Sequence, residues 1–470
     1  MLQHLISRKL RAYVVLVLLL LAHNVFAADV RDLKPTVILI SIDGFRYDYF
    51  SKAPTPNLDS LIARGVRARY MVPSFPTKTF PNHYTLVTGL YPAHHGIIAN
   101  NMWDDGLHAT FKPSDRKQVR DARWWGGEPI WVTAQKAGQK TAPMYWPGSE
   151  AAIEGLMPTY GEAYDDNNKT TFEYRVNKVL SWLDLPAPER PTLLTLYFEN
   201  VDQAGHDYGP DSPQLLAAVE RVDQMIGLLL QGLKARAIED KINIVVVSDH
   251  GMAACSRRRL IMLDDYVDLS NVIVVDTSPV LAVKAKDGNN AALVAKLKLV
   301  PHLTVYTPDT VPQRLHFSGN PRITPVIAVA DVGWKITSHD EVAKHPDRKY
   351  GGDHGYDNAA PEMRAIFVAA GPAFKPHRTL PGFPNVDVYP LLAYLLNVAP
   401  ASNDGDIKVF ESVLRRKTTT GRRVPSGMMD QVNPPHTTAA ARLLKCFHPS
   451  PLPAHLKPGW RMKHGFKKCA

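Results

Sequence analysis

Three apolar runs end on acidic or acid–histidine residues: "TVILISIDG" (Thr36 to Gly44), "TLLTLYFEN" (Thr192 to Asn200) and "INIVVVSDHG" (Ile242 to Gly251). Near-continuous Val/Ile/Leu runs of this length mark strands covered on both faces, the usual state of parallel strands. "RAIFVAAGP" (Arg364 to Pro372) reads as a fourth of the same kind. Helical patterns lie between them. In "TPNLDSLIARG", Thr55 is placed to cap, Pro56 fits the first helical position and Gly65 ends the helix. From Ser212 to Leu233, apolar residues recur at spacings of three and four. Strands alternating with helices predict an α/β fold, a mainly parallel sheet with helices on both faces. Ligands of such sheets bind beyond the carboxyl ends of the strands, where these runs place their acids.

The remaining segments set the domain organisation. From Pro301 to Trp334 the pattern turns to short β-like runs with many prolines, which predicts a small inserted α+β or antiparallel subdomain within about residues 260–350. The stretch from Asn101 to Tyr164 interrupts the alternation and carries Trp103, Trp124, Trp125, Trp131 and Trp146, candidates to line a pocket. Residues 29–412 form the expected main domain. Ahead of it, Arg8, Lys9 and Arg11 precede an apolar run from Ala12 to Ala22 and the small residues Ala27 and Ala28. That order reads as a secretory signal peptide over residues 1–28, its apolar core shorter than the roughly 20 residues of a spanning helix. The expected location is periplasmic or secreted, with no transmembrane span after cleavage.

Net charge is +10, which suggests a nucleic-acid partner until it is located. Residues 415–470 carry 12 Lys/Arg against the single acid Asp430, so everything before Arg415 sums to −1. The basicity belongs to a Pro/Thr/Arg-rich tail, residues 413–470, which reads as a disordered extension. Contact of that tail with an anionic surface is the alternative. No specific nucleic-acid partner is expected. Cys255, Cys446 and Cys469 form no zinc or redox motif. The "NKT" at Asn168 matches a glycosylation acceptor and is expected to be idle.

The chemistry concentrates at the strand ends. Asp43, Asp202, His206, Asp249, His250 and His354 each have an ordinary reading alone, as turn residues or hydrogen-bonded histidines. Three aspartates and three histidines in one chain, mostly on strand termini, suit two divalent ions of zinc type. Asp202 and His206 are four apart, on one face if "DQAGH" is helical. Two such ions suit in-line phosphoryl displacement. Thr79, between prolines in "FPTKTFPNHY", would otherwise be a turn or capping residue; beside such a site it becomes a candidate nucleophile, because metal coordination activates a weak hydroxyl.

These residues, in this order, resemble the nucleotide pyrophosphatase/phosphodiesterase family of the alkaline phosphatase superfamily. The likeness runs through "ILISIDGFRYDYF", "TPNLDSLIARGV", "MVPSFPTKTFPNHYTLVTGLYPAHHGIIANNMWD", "FENVDQAGHDYGP", "VVVSDHGM" and "GGDHGYDN". It implies a zinc enzyme releasing nucleoside 5′-monophosphates from phosphodiester or pyrophosphate bonds. Asp43, Thr79, Asp249 and His250 would hold one zinc, and Asp202, His206 and His354 the other. Thr79 would form a phosphothreonyl intermediate, and Asn100 would donate to a non-bridging phosphoryl oxygen. Phe80, Tyr164 and Tyr197 would line the nucleobase slot; for Tyr164, a plain core aromatic is the alternative. Neutral Asn100 favours diesters over monoesters. The other expectations weighed are a choline-phosphodiester or lysophospholipid diesterase on the same site and a non-catalytic nucleotide-binding protein.

Overall fold

The computed structural model describes residues 30, 32–164 and 170–416. The expected signal peptide, the tail beyond Arg416, the Asn168 acceptor, Cys446 and Cys469 lie outside the described residues. Among the described residues no helix is long and apolar enough to cross a membrane.

Seven strands build the central sheet: β1 (Val37–Ile42), β2 (Val66–Ala68), β3 (Thr141–Met144), β4 (Leu193–Phe198), β5 (Asn243–Val247), β6 (Phe367–Ala370) and β7 (Arg378–Leu380). Their spatial order is β7-β2-β6-β5-β1-β4-β3. Strand β1 lies at the middle of its parallel part and every one of its residues is buried. Val37 and Leu39 enter one apolar core, while Ile38, Ile40 and Ile42 enter the other. This two-sided burial is the physical reason the run carries no polar alternation.

The principal helices are α1 (Pro56–Arg64), α2 (Thr79–Thr88), α3 (Ile130–Lys136), α4 (Phe172–Leu183), α5 (Asn200–Tyr208), α6 (Pro213–Ala235) and α7 (Val388–Leu396). Apolar residues of α2, α3 and α7 fill the first core, and those of α1, α4, α5 and α6 the second. Helices on both faces of a mainly parallel sheet are the expected architecture.

Two local expectations are corrected. The fourth apolar run, β6, is antiparallel to both its neighbours, β5 and β2. The chain is already at the carboxyl edge of β5 when it enters β6, since Phe367 pairs with Val247. A parallel entry would need a crossover to the opposite edge, and the 12 residues between His354 and Phe367 hold no crossover helix of the usual kind. Thr55 occupies the cap position of α1, but its side chain makes no capping bond. Instead Asp223, reaching over from α6, accepts the backbone N–H groups of Asn57 (3.1 Å) and Leu58 (2.8 Å). A carboxylate is the stronger acceptor for these unpaired amides.

A second sheet is antiparallel, formed by Val272–Asp276, Val280–Ala285, Leu303–Tyr306 and Val326–Ala330. Leu281, Val283, Val326 and Ala328 pack with Leu293 and Leu297 of a short helix in a core of their own. A buried ion pair, Lys78 Nζ to Asp276 Oδ2 at 2.6 Å, ties this sheet to the residue preceding Thr79.

Candidate active site

Register decides where the acids meet. Strands β1, β4 and β5 run level, with Ile42 opposite Phe198 and Ser41 opposite Val247. The residues that follow therefore emerge at one edge: Asp43 after β1, Asp202 in the first turn of α5, and Asp249 and His250 after β5. Gly44 permits the close approach; its φ is +68°, and a Cβ there would lie 2.8 Å from the Cα of Asp202. His354 arrives from the short antiparallel pair Gly352–Asp353 and Ala253–Ala254, which follows His250.

All six expected donors come together. Asp202, His206 and His354 form one group whose ligand atoms lie within 4.8 Å of one another, and Asp43, Asp202 and His250 form a second. The four-residue spacing works as a helical turn, with His206 Nε2 3.4 Å from Asp202 Oδ2. Each histidine has its Nδ1 against a backbone carbonyl: His206 on Gly352 (3.1 Å), His250 on Gly251 (2.9 Å) and His354 on Thr77 (2.9 Å). A carbonyl only accepts, so each Nδ1 donates and each ring turns its Nε2 inward. His206 and His354 then face each other Nε2 to Nε2 at 3.1 Å. His250 stacks on His354 with centroids 3.5 Å apart.

This arrangement is electrostatically incomplete on its own. The buried oxygens Asp43 Oδ1, Asp202 Oδ1 and Asp249 Oδ2 accept no hydrogen bond of sound geometry. Burial, with repulsion from Asp249 and Asp202, pushes the Asp43 carboxyl well above its ordinary range. Burial also raises Asp202. It opposes ionisation of Asp249 too, but the neighbouring His250 and His83 win and hold that carboxyl below the usual range. For His354, burial and the adjoining His250 and His206 push the imidazole well below its ordinary value. Converging carboxylate oxygens and imidazole nitrogens are the donor set of divalent metal ions.

Thr79 is the first residue of α2, and its Oγ1 lies 3.3 Å from His250 Nε2. Asn100 Oδ1 accepts the backbone N–H of Phe80 at 2.9 Å, which turns the Nδ2 donor group the other way. Asp43, Thr79, Phe80, Asn100, Trp146, Tyr164, Tyr197 and Asp202 share the wall of a cavity of about 520 Å³. Tyr197 does more than line it: its hydroxyl donates to Asp43 Oδ2 at 2.6 Å. Of the five tryptophans, Trp146 reaches the cavity, whereas Trp124, Trp125 and Trp131 are buried in the first core.

The family described as "Type I phosphodiesterase / nucleotide pyrophosphatase" matches residues 37–357. The chain belongs to this family. It is 40% identical to an uncharacterized pyrophosphatase/phosphodiesterase of Schizosaccharomyces pombe, over 82% of each chain. Human ectonucleotide pyrophosphatase/phosphodiesterase family member 5 is 40% identical over 80% of this chain and 78% of that protein. Naja atra venom phosphodiesterase is 42% identical over 78% of this chain but only 45% of its own length. Among solved structures, murine ectonucleotide pyrophosphatase/phosphodiesterase 5 superposes with a TM-score of 0.76 at 39% identity, covering 81% of this chain and all of that one. An inactive threonine-to-alanine variant of the same murine protein, in complex with AMP, superposes equally well at 38% identity. The chain is thus an enzyme that hydrolyses phosphodiester bonds.

Two neighbours of this phosphodiesterase site escaped the sequence reading. His83 lies within ligand distance of Asp43 and Asp249. Its Nδ1 is 2.9 Å from the Thr79 carbonyl and its Nε2 2.8 Å from Ser41 Oγ. The signal was present, because Thr79 and His83 are four apart on one helix. Asp353, buried beside His354, pairs with Lys335 Nζ at 2.5 Å. Nothing in the local sequence marks that pair, which joins segments from two different sheets.

Proposed function

We propose that this protein is a zinc-dependent nucleotide pyrophosphatase/phosphodiesterase that releases nucleoside 5′-monophosphates through a phosphothreonine formed on Thr79. The observation that carries the reading is the placement of the Thr79 hydroxyl at a helix start, beside His250 and on the wall of the cavity shared by Asp43 and Asp202. Asp43, Thr79, Asp249 and His250 would hold one ion, and Asp202, His206 and His354 the other. When bound, the two ions neutralise the developing charge and lower the pKa of the oxygens that attack phosphorus.

The chain's own residues supply the rest. Thr79 Oγ1 forms the bond to phosphorus as the leaving-group oxygen departs on the opposite side, and water then cleaves the ester and restores the threonine. Asn100, its carbonyl oxygen engaged by Phe80, has its amide N–H groups for a non-bridging phosphoryl oxygen, where they stabilise charge that grows in the transition state. Its neutrality suits a diester, which lacks the extra charge of a monoester. Phe80 and Tyr164 offer aromatic faces to a base, and the AMP complex of the murine relative supports a nucleotide as the ligand.

The test is steady-state hydrolysis of nitrophenyl-dTMP, nitrophenyl-phosphocholine and nitrophenyl phosphate, before and after chelation and zinc restoration. The nucleotide ester is expected to be preferred, with activity lost on chelation and recovered with zinc. Preference for the choline ester would replace the substrate class, and preference for the monoester would remove the role given to Asn100. Thr79→Ala is expected to retain metal and lose at least about 10³-fold in kcat; near wild-type turnover would overturn the covalent route. The compartment proposed is periplasmic or extracellular, checked by amino-terminal sequencing of the exported protein for cleavage near Ala27 or Ala28.

A further inference from the structure

The geometry points to Asp276, an acid of the antiparallel second sheet, as the positioning residue that fixes the spacing between the Thr79 nucleophile and the Asn100 donor. This rests on the roles proposed above for those two residues. Attack on phosphorus needs both at set distances from one phosphoryl group, and a misplacement of about 1 Å can cost about 10²-fold in rate. Thr79 is held by a regular helix. Asn100 is not: it lies in the irregular segment between Gly96 and the strand that begins at Met102, so its placement depends on side-chain ties.

One tie is the Phe80 N–H on Asn100 Oδ1. Asp276 supplies another, through the residues that adjoin the pair. Its Oδ2 accepts from Lys78 Nζ at 2.6 Å, and Lys78 immediately precedes Thr79. Its Oδ1 accepts from Asn101 Nδ2 at 3.1 Å, and Asn101 immediately follows Asn100. The carboxylate is itself fixed. The Thr277 backbone N–H donates to Oδ1 at 3.1 Å, and Lys78 Nζ makes a second bond to the Ser278 carbonyl at 3.0 Å. The side chains of Asp276 and Lys78 are each only 7% exposed, so water competes little for these bonds.

The strand that ends at Asp276 changes register between Val274 and Asp276, an irregularity of the kind that re-aims a side chain. A staple that only joined the second sheet to the Thr79 helix would need the Lys78 pair alone. Because the other oxygen holds Asn101, Asp276 bridges the neighbours of both groups that act on phosphorus. It touches neither substrate nor phosphorus and acts through Lys78 and Asn101.

A carboxylate accepts on both oxygens and an amide on one, so Asp276→Asn breaks one tie with little change of shape. The remaining oxygen stays with the Lys78 ammonium, the stronger donor, and Asn101 is released. For the zinc-loaded enzyme acting on nitrophenyl-dTMP, kcat should fall about ten-fold or more, with KM within about two-fold and zinc content unchanged. Asn101→Ala, at a half-buried position, removes the same tie, leaves the buried ion pair intact and should give a similar loss, which covers the case of Asp276→Asn folding poorly. Each substitution is then repeated in Asn100→Ala. There the loss should shrink to about two-fold or less, since the group being positioned is gone, whereas a general loss of folded enzyme would give the same factor in both backgrounds. Equal factors in the two backgrounds, or wild-type kcat in Asn101→Ala, would overturn the positioning role and leave the proposed function standing. A fully active Asn100→Ala would overturn the role of Asn100 itself, and with it the one given to Asp276.

Discussion

Tyr197 shows how one side chain can serve the site in a way its position on a strand does not announce. Its hydroxyl bonds Asp43 Oδ2 at 2.6 Å, and its ring meets His83 edge-on at 5.3 Å. If Asp43 holds a metal ion as proposed, a donor on its far oxygen keeps the near oxygen in place, and such partners are worth roughly 10–100-fold in metal affinity. Tyr197→Phe keeps the ring and removes that donor. We expect it to lose zinc to a chromophoric chelator at correspondingly lower chelator concentration, with a smaller change in KM for the nucleotide ester. A large KM change with unaltered zinc retention would return Tyr197 to the base slot alone. Asn100→Ala removes both the proposed donor and the acceptor of the Phe80 N–H; kcat for the nucleotide ester should fall about 10²–10³-fold.

At the scale of elements, α7 carries a titratable group away from the metal site. Asp387 is buried at the start of this helix and accepts the backbone N–H of Asp406 at 2.8 Å. Burial pushes its carboxyl up to about 7, against the lowering effect of that hydrogen bond. The folded chain thus keeps the proton up to about pH 7, whereas the unfolded chain releases it near 4. Between these values the folded state binds more protons, so this group's contribution is complete below about pH 4 and is lost as pH rises to about 7. Asp387→Asn should flatten that dependence, worth on the order of 2 kcal/mol, seen as a smaller difference between denaturation midpoints at pH 5 and pH 8. The helices themselves were legible from spacing and caps; Asp223 as the cap of α1 was not, since it lies 165 residues from Leu58.

In the whole molecule, the candidate metal donors come from four separate segments that one sheet edge brings together. On the proposed metal reading, cations balance the unmatched oxygens of Asp43, Asp202 and Asp249, so chelated protein should melt at least a few degrees lower and recover on addition of zinc. Unchanged melting by calorimetry would mean that the cluster is neutralised by protons instead. The sequence by itself determined the strands, because burial on both faces leaves an unbroken apolar run, and it marked the six candidate donors and Thr79, because their residue types and strand-end positions are local features. It also carried the family likeness. Direction of β6, the inclusion of His83 and Asp353, and the Tyr197–Asp43 bond were decided only by tertiary structure. Each depends on the register or proximity of residues distant along the chain, and such pairings leave no periodicity in a single sequence.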